Sequence, residues 1–179
     1  FVQKSMSTIN PRGDYDEAVK LKTKGNEAFK KKEYQNALKY YSSIILHLGM
    51  NSRMNISQVT NKNGRSNPYV RSSRTNIQKK IDDLRLICFN NMAAVYLKQE
   101  KYDNVVQKAS RVLDDEENNK KALFRRGMAY RKLGKLDEAR EDLVNAARTQ
   151  NLEQVDPAIQ RELHLLKKDM EKIKPTRIN

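Results

Sequence analysis

Apolar residues return along this chain with helical spacing, and the pattern of their return itself repeats. With Gly25, Ala93 and Gly127 aligned, Ala28, Tyr96 and Tyr130 follow three positions later. Tyr34, Tyr102 and Leu136 stand nine later, and Ala37, Val105 and Ala139 twelve later. Tyr41, Ala109 and Leu143 stand sixteen later, and Ile44, Val112 and Ala146 nineteen later. Small residues recur where two helices must approach closely, and larger ones where they fill the space between. Each copy therefore predicts a helical hairpin, over about 18–51, 86–119 and 120–153, in an all-α domain spanning 14–174.

Turn and cap residues punctuate this pattern. Pro11 and Gly13 read as breakers, with Asp14 as N-cap and Glu17 at capping-box spacing. Gly134 marks the turn of the last hairpin. Asp156-Pro157 opens a final helix over 157–173, whose Ile159, Leu163, Leu166, Met170 and Ile173 would cap the stack. Copies one and two start 68 apart, twice the 34-residue step from Ala93 to Gly127. A hidden copy over 52–85 fails, because its contact positions would be Val59, Lys62, Arg71, Thr75 and Gln78. The Asn-, Ser- and Arg-rich stretch 51–75 reads as a loop. The series Ile77, Ile81, Leu84, Cys88 lengthens the first helix of copy two. Residues 1–13 and 175–179 remain as an extension and a tail. The first residue is Phe rather than Met, so the chain reads as a piece of a longer protein.

Charge narrows the partners. The formal net charge is +14, and residues 51–80 carry seven cations and no acid. Such a surface attracts acidic peptides, nucleic acid or anionic membranes without choosing among them. No apolar run is long enough to span a bilayer. The single cysteine, Cys88, lies in an apolar helical pattern and reads as a buried structural thiol in a reducing compartment. In that setting the sequon Asn55-Ile56-Ser57 carries no weight. His47 and His164 have neither metal-ligand spacing nor a nucleophile partner, and there is no glycine-rich phosphate loop. The chain thus offers no catalytic set, no metal set and no cofactor site.

The 34-residue period and the runs Lys24-Gly25, Ala37, Tyr41 and Leu123, Gly127, Tyr130, Gly134, Ala139, Leu143, Ala146 resemble the tetratricopeptide family. Ala28 and Val105 depart from its pattern, and the proline expected at the end of each copy is absent. The resemblance covers about 18–51 and 86–153. It implies helical hairpins stacked as a right-handed superhelix with a groove lined by the first helix of each copy.

Residues four apart on a helix share a face. Lys22 and Asn26 do so in copy one, and Lys121 and Arg125 in copy three; Asn91 stands in copy two, with Lys98 seven residues on. Cations in such numbers suit carboxylates, and the two amides can donate to carboxylate oxygens or accept from peptide N–H. Lys22, Asn26, Asn91, Lys121 and Arg125 resemble the dicarboxylate clamp of chaperone-binding tetratricopeptide domains. That resemblance implies a co-chaperone holding the C-terminal Glu-Glu-Val-Asp of heat-shock protein 90 or 70. Phe29 and Phe124 either read the apolar residue of that tail or pack between helices. The stretches around Asn26 and Arg125 are similar to those of the large immunophilins, prolyl isomerases whose catalytic domain would lie upstream. The expected setting is a monomer in the cytoplasm, with the nucleus as a second compartment.

Two rivals stand beside this reading. Nucleic acid would use the basic segment 51–80, but that segment holds one aromatic, Tyr69, and no stacking pattern. A general scaffold would bind an internal helix or loop and would not need the clamp cations.

Overall fold

The computed structural model describes residues 11–54, 68–149 and 155–173. Among these it contains seven helices: α1 (Pro11–Lys30), α2 (Tyr34–Met54), α3 (Pro68–Lys98), α4 (Tyr102–Leu113), α5 (Lys120–Lys132), α6 (Leu136–Arg148) and α7 (Pro157–Ile173). The chain divides into two compact units, Phe1–Cys88 and Phe89–Asn179, with α3 contributing to both.

Three expectations about boundaries change. α1 begins at Pro11, so Asp14 lies inside its first turn rather than at the cap. There Asp14 Oδ1 meets His47 Nε2 of α2 at 3.5 Å. α2 runs on to Met54 and α3 begins at Pro68, so both ends of the expected loop 51–75 are helical. For the starts of α1 and α3 the physical reason is shared: proline lacks an N–H, but the first turn of a helix has no use for one. Residues 55–67 of that loop, residues 1–10 and the tail 175–179 lie outside the described residues.

In the first unit α1 and α2 form an antiparallel hairpin. Ala18, Ala28, Ala37, Tyr41, Ile44 and Leu48 are buried along it. Gly25 is required by contact, since a Cβ there would stand 2.6 Å from Tyr41 Cε1. Ile81, Leu84 and Cys88 of α3 are buried at the helical spacing read from the sequence. Burial pushes the Cys88 thiol up to about 12, with Lys22 pulling slightly the other way, so the thiol is inert near neutral pH.

In the second unit α4, α5, α6 and α7 pack in chain order, with the end of α3 against α4. Ala93, Val105, Ala109, Val112, Ala122 and Ala129 form one buried cluster, flanked by Phe89, Tyr96 and Tyr102. Leu123, Ala146 and Ile159 form a second, and Ala139, Leu143 and Leu166 a third. These last two carry α7, whose Asp156 Oδ1 accepts from Ala158 N at 2.9 Å, the cap expected before Pro157. All nine residues at offsets twelve, sixteen and nineteen are at most 1% exposed, which is how the repeat becomes a core.

The three hairpin turns repeat as faithfully as the core. Lys32 (φ +62°), Glu100 (φ +58°) and Gly134 (φ +76°) adopt the left-handed conformation at equivalent positions. Each turn closes with the same two bonds. In the third, Lys135 N donates to Tyr130 O at 2.9 Å and Gly134 N to Arg131 O at 3.1 Å. This is the Schellman closure, and only the third copy supplies the glycine that makes it free of strain.

Gly127 lets α5 and α6 touch: a Cβ there would lie 2.8 Å from Leu143 Cγ and 3.2 Å from Asp142 Cβ. Gly127→Ala gains helix propensity, ~1 kcal/mol, but forces buried atoms apart at a cost of ~1–3 kcal/mol. We expect a net loss and a thermal midpoint lowered by a few degrees. A midpoint that rises would show that the two helices do not meet at this residue.

Candidate functional site

Helix α5 carries six cations, and the structure sorts them. Lys120 pairs with Asp156 at 3.5 Å. Arg126 grips buried Asp142 through two bonds, Nε to Oδ2 at 2.7 Å and Nη2 to Oδ1 at 2.8 Å, and reaches Ser110 Oγ at 3.1 Å. Arg131 joins Glu162 at 3.0 Å and Asp169 at 2.8 Å on α7. These three are structural ties. Lys121 and Arg125, one turn apart, enter no ion pair among the described residues.

Arg125 is the more informative of the two. Its guanidinium is half-buried, and burial lowers its pKa from the ordinary value. A partly desolvated cation normally takes a carboxylate. Here Nη1 donates to a neutral amide instead, Asn90 Oδ1, at 2.7 Å. Asn90 is 7% exposed, and its Nδ2 donates to Asn119 Oδ1 at 3.0 Å. Asn119 is the N-cap of α5: the same oxygen accepts from Ala122 N at 3.1 Å, while its Nδ2 donates to Glu116 Oε2 at 2.6 Å. The cap that starts α5 thus also orients the amide that holds Arg125. Asn91, the next residue on α3, is half-buried.

In the first unit Lys22 and Asn26 are both half-buried and lie one turn apart on α1. Tyr41 Oη donates to Asn26 Oδ1 at 2.8 Å, which turns the amide N–H groups away from Tyr41. Lys22 enters no ion pair among the described residues.

The secondary candidates fare differently. Lys98 is exposed at the last position of α3, and α1 and α5 also end in lysine, Lys30 and Lys132, at the equivalent repeat position. A cation there offsets the negative end of the helix dipole in every copy. Phe124 packs against both α7-facing clusters, and the Phe29 ring stands 6.0 Å from that of Tyr34, tilted by 51°. Both rings thus have the packing contacts that the alternative to peptide reading requires. Sequence reasoning passed over Asn90, Asn119 and Tyr41 as orienting groups. It also passed over Ile87, 44% exposed and one turn before Asn91 on α3. Asn119 is marked locally only as a cap; the orienting contacts that link Tyr41 to Asn26, Asn90 to Asn119 and Arg125 to Asn90 span 15–35 residues, so local sequence does not show them.

Among the described residues no group of three His, Cys, Asp or Glu could hold a metal ion, and no helix is long and apolar enough to cross a membrane. Each unit by itself offers positive charge beside an oriented amide: Lys22 with Asn26 in the first, Lys121 and Arg125 with Asn90 in the second.

These hairpins define a helical-repeat binding module of the tetratricopeptide type. The family model described as tetratricopeptide repeat matches residues 120–150. The chain is similar to peptidyl-prolyl cis-trans isomerase FKBP42 of Arabidopsis thaliana, 31% identical over 153 residues. That match takes in 83% of this chain and 35% of the relative, so the chain spans about a third of that protein's length. Among solved structures it resembles the C-terminal tetratricopeptide-containing domain of a Plasmodium falciparum FK506-binding protein. There the TM-score is 0.68 at 25% identity, covering 94% of this chain and 97% of that one. It also shares the fold of the first tetratricopeptide domain of Spaghetti (RPAP3), solved bound to the HSP90 peptide SRMEEVD. The TM-score is 0.60 at 22% identity, over 88% of this chain and 95% of that one.

Proposed function

We propose that this chain is the chaperone-binding module of a co-chaperone, and that it holds the acidic C-terminal tail of heat-shock protein 90 or 70. The observation that carries this reading is Arg125: a half-buried guanidinium held in place by an amide and without a carboxylate partner among the described residues. With Lys121 one turn away, it offers two adjacent cations to a chain end that brings two carboxylates. Asn91 supplies an amide for the peptide backbone, and Lys22 and Asn26 offer the same chemistry on α1. Each charge-assisted bond contributes about 1.5–3 kcal/mol before the peptide's ordering costs. A pentapeptide then binds with roughly micromolar Kd, about −8 kcal/mol. The similarity to FK506-binding relatives supports a role as the binding arm of an immunophilin-like prolyl isomerase. The proposal places it as a monomer in cytoplasm or nucleus.

The test sets two ligands against each other. A fluorescent Met-Glu-Glu-Val-Asp peptide is titrated with the protein, and single-stranded nucleic acid is offered as competitor. The proposal expects saturable micromolar binding that nucleic acid displaces only at low salt. Tight nucleic-acid binding with no peptide binding by the folded protein would replace this function with the rival one.

A further inference from the structure

We infer that Asn90 is a positioning residue for the anion site, and that its neutrality is what keeps Arg125 free to take a peptide carboxylate. The inference rests on the carboxylate-binding role proposed above and adds a residue to it.

The argument starts from the hydrogen-bond direction at each amide. Ala122 N can only donate, so the Asn119 atom facing it must be oxygen. That same oxygen faces Asn90, so Asn90 presents its Nδ2 to it, at 3.0 Å. The other end of Asn90 is then necessarily Oδ1, aimed at Arg125 Nη1 at 2.7 Å. At Asn119 the remaining Nδ2 meets Glu116 Oε2 at 2.6 Å. The order of donors from the start of α5 to the guanidinium is thus set by one backbone N–H; a flip would cost Asn90 two bonds and Asn119 three.

Charge explains why an amide stands there. A carboxylate in the Asn90 position would sit at ion-pair distance from Arg125. It would offset the cation that the ligand needs, as Asp142 does for Arg126 on the same helix. It would also place two acceptors face to face at Asn119. An apolar residue would leave the guanidinium without its anchor. An amide fixes one Nη1 hydrogen and leaves the other guanidinium donors and the full positive charge for an incoming anion. Arg125 and Arg126 are adjacent in sequence, yet one is neutralised by a buried acid and the other held by a buried amide. That contrast separates the binding arginine from the structural one.

Asn90→Asp and Asn90→Ala test this against the same pentapeptide, across a series of salt concentrations, with thermal melts as the control for folding. Asn90→Asp is expected to weaken binding about tenfold or more and to flatten the salt dependence, because one cation is already paired. Asn90→Ala is expected to weaken it less, by about threefold, with the salt dependence kept. A merely structural Asn90 would lower the melting midpoint and leave the salt dependence alone. If wild type binds peptide and Asn90→Asp binds as well as wild type, with the same salt dependence, the inference falls and the function stands. If wild type binds no peptide, the function falls. The positioning is then read without ligand, from the Arg125 guanidinium NMR signals. Hindered Nη rotation in wild type that is released in Asn90→Ala supports the grip, and free rotation in both overturns it.

Discussion

Replacing Lys121 and Arg125 together by Ala should abolish binding of an acidic C-terminal peptide. Each removes a charge-assisted contact of about 1.5–3 kcal/mol, so the loss exceeds about a hundredfold and takes a micromolar Kd beyond easy measurement. The fold should survive. Lys121 is exposed and unpaired among the described residues, and Arg125 makes one hydrogen bond, to Asn90. The structural cost is therefore about 1.5–3 kcal/mol, the value of a bond from a charged donor to the buried Asn90 oxygen. Calorimetric titration and a thermal melt on the same sample separate the two effects. Retained binding by the double variant would move the site elsewhere and favour a scaffold that reads an internal segment.

The second large effect is on stability. Asp142 is 3% exposed and takes both arms of Arg126, tying α6 to α5 beside the Gly127–Leu143 contact. An arginine guanidinium is charged at any ordinary pH, and the Asp142 hydrogen bond raises the Arg126 pKa further, so the cation remains after its partner is removed. Asp142→Ala then strands a largely buried cation. Breaking a buried pair from one side costs about 3–5 kcal/mol. Arg126 keeps some solvent access, 23%, and its bond to Ser110, so the lower end applies, about 3 kcal/mol. The melting midpoint should fall by roughly 10 °C. Asp142→Asn keeps the shape and one acceptor and should lose about half as much. A fall of under two degrees for Asp142→Ala would mean that the pair adds nothing to the docking of α5 on α6.

Much of this architecture was legible because repetition amplifies weak signals. One alanine predicts little, but Ala37, Val105 and Ala139 at the same register predict a helix contact, and all three are fully buried. The errors lie at helix ends. Pro11 was read as a breaker and Pro68 lay in the stretch read as a loop, yet each begins a helix; Pro157, preceded by a capping Asp, was read as a start and is one. The polar stretch before Ile77 concealed the first turns of α3 because it carries no apolar period. At the candidate site the cations were legible and their supports were not. Lys121 and Arg125 stand out as a spaced pair, whereas Asn90 resembles any helical Asn. What distinguishes it is a partner 35 residues away, which only the packing of α5 beside α3 reveals. For the same reason the sequence could not say that Arg126 and Arg131 are spent on Asp142, Glu162 and Asp169.

The central claim is that the site reads a free chain end. Its most direct measurement is a paired calorimetric titration of the wild-type protein with Met-Glu-Glu-Val-Asp carrying either a free or an amidated C-terminus. The two ligands differ by one negative charge and one acceptor oxygen. The account predicts roughly micromolar binding of the free acid and at least tenfold weaker binding of the amide. Equal affinity for the two, or no binding of either by folded protein, would contradict it.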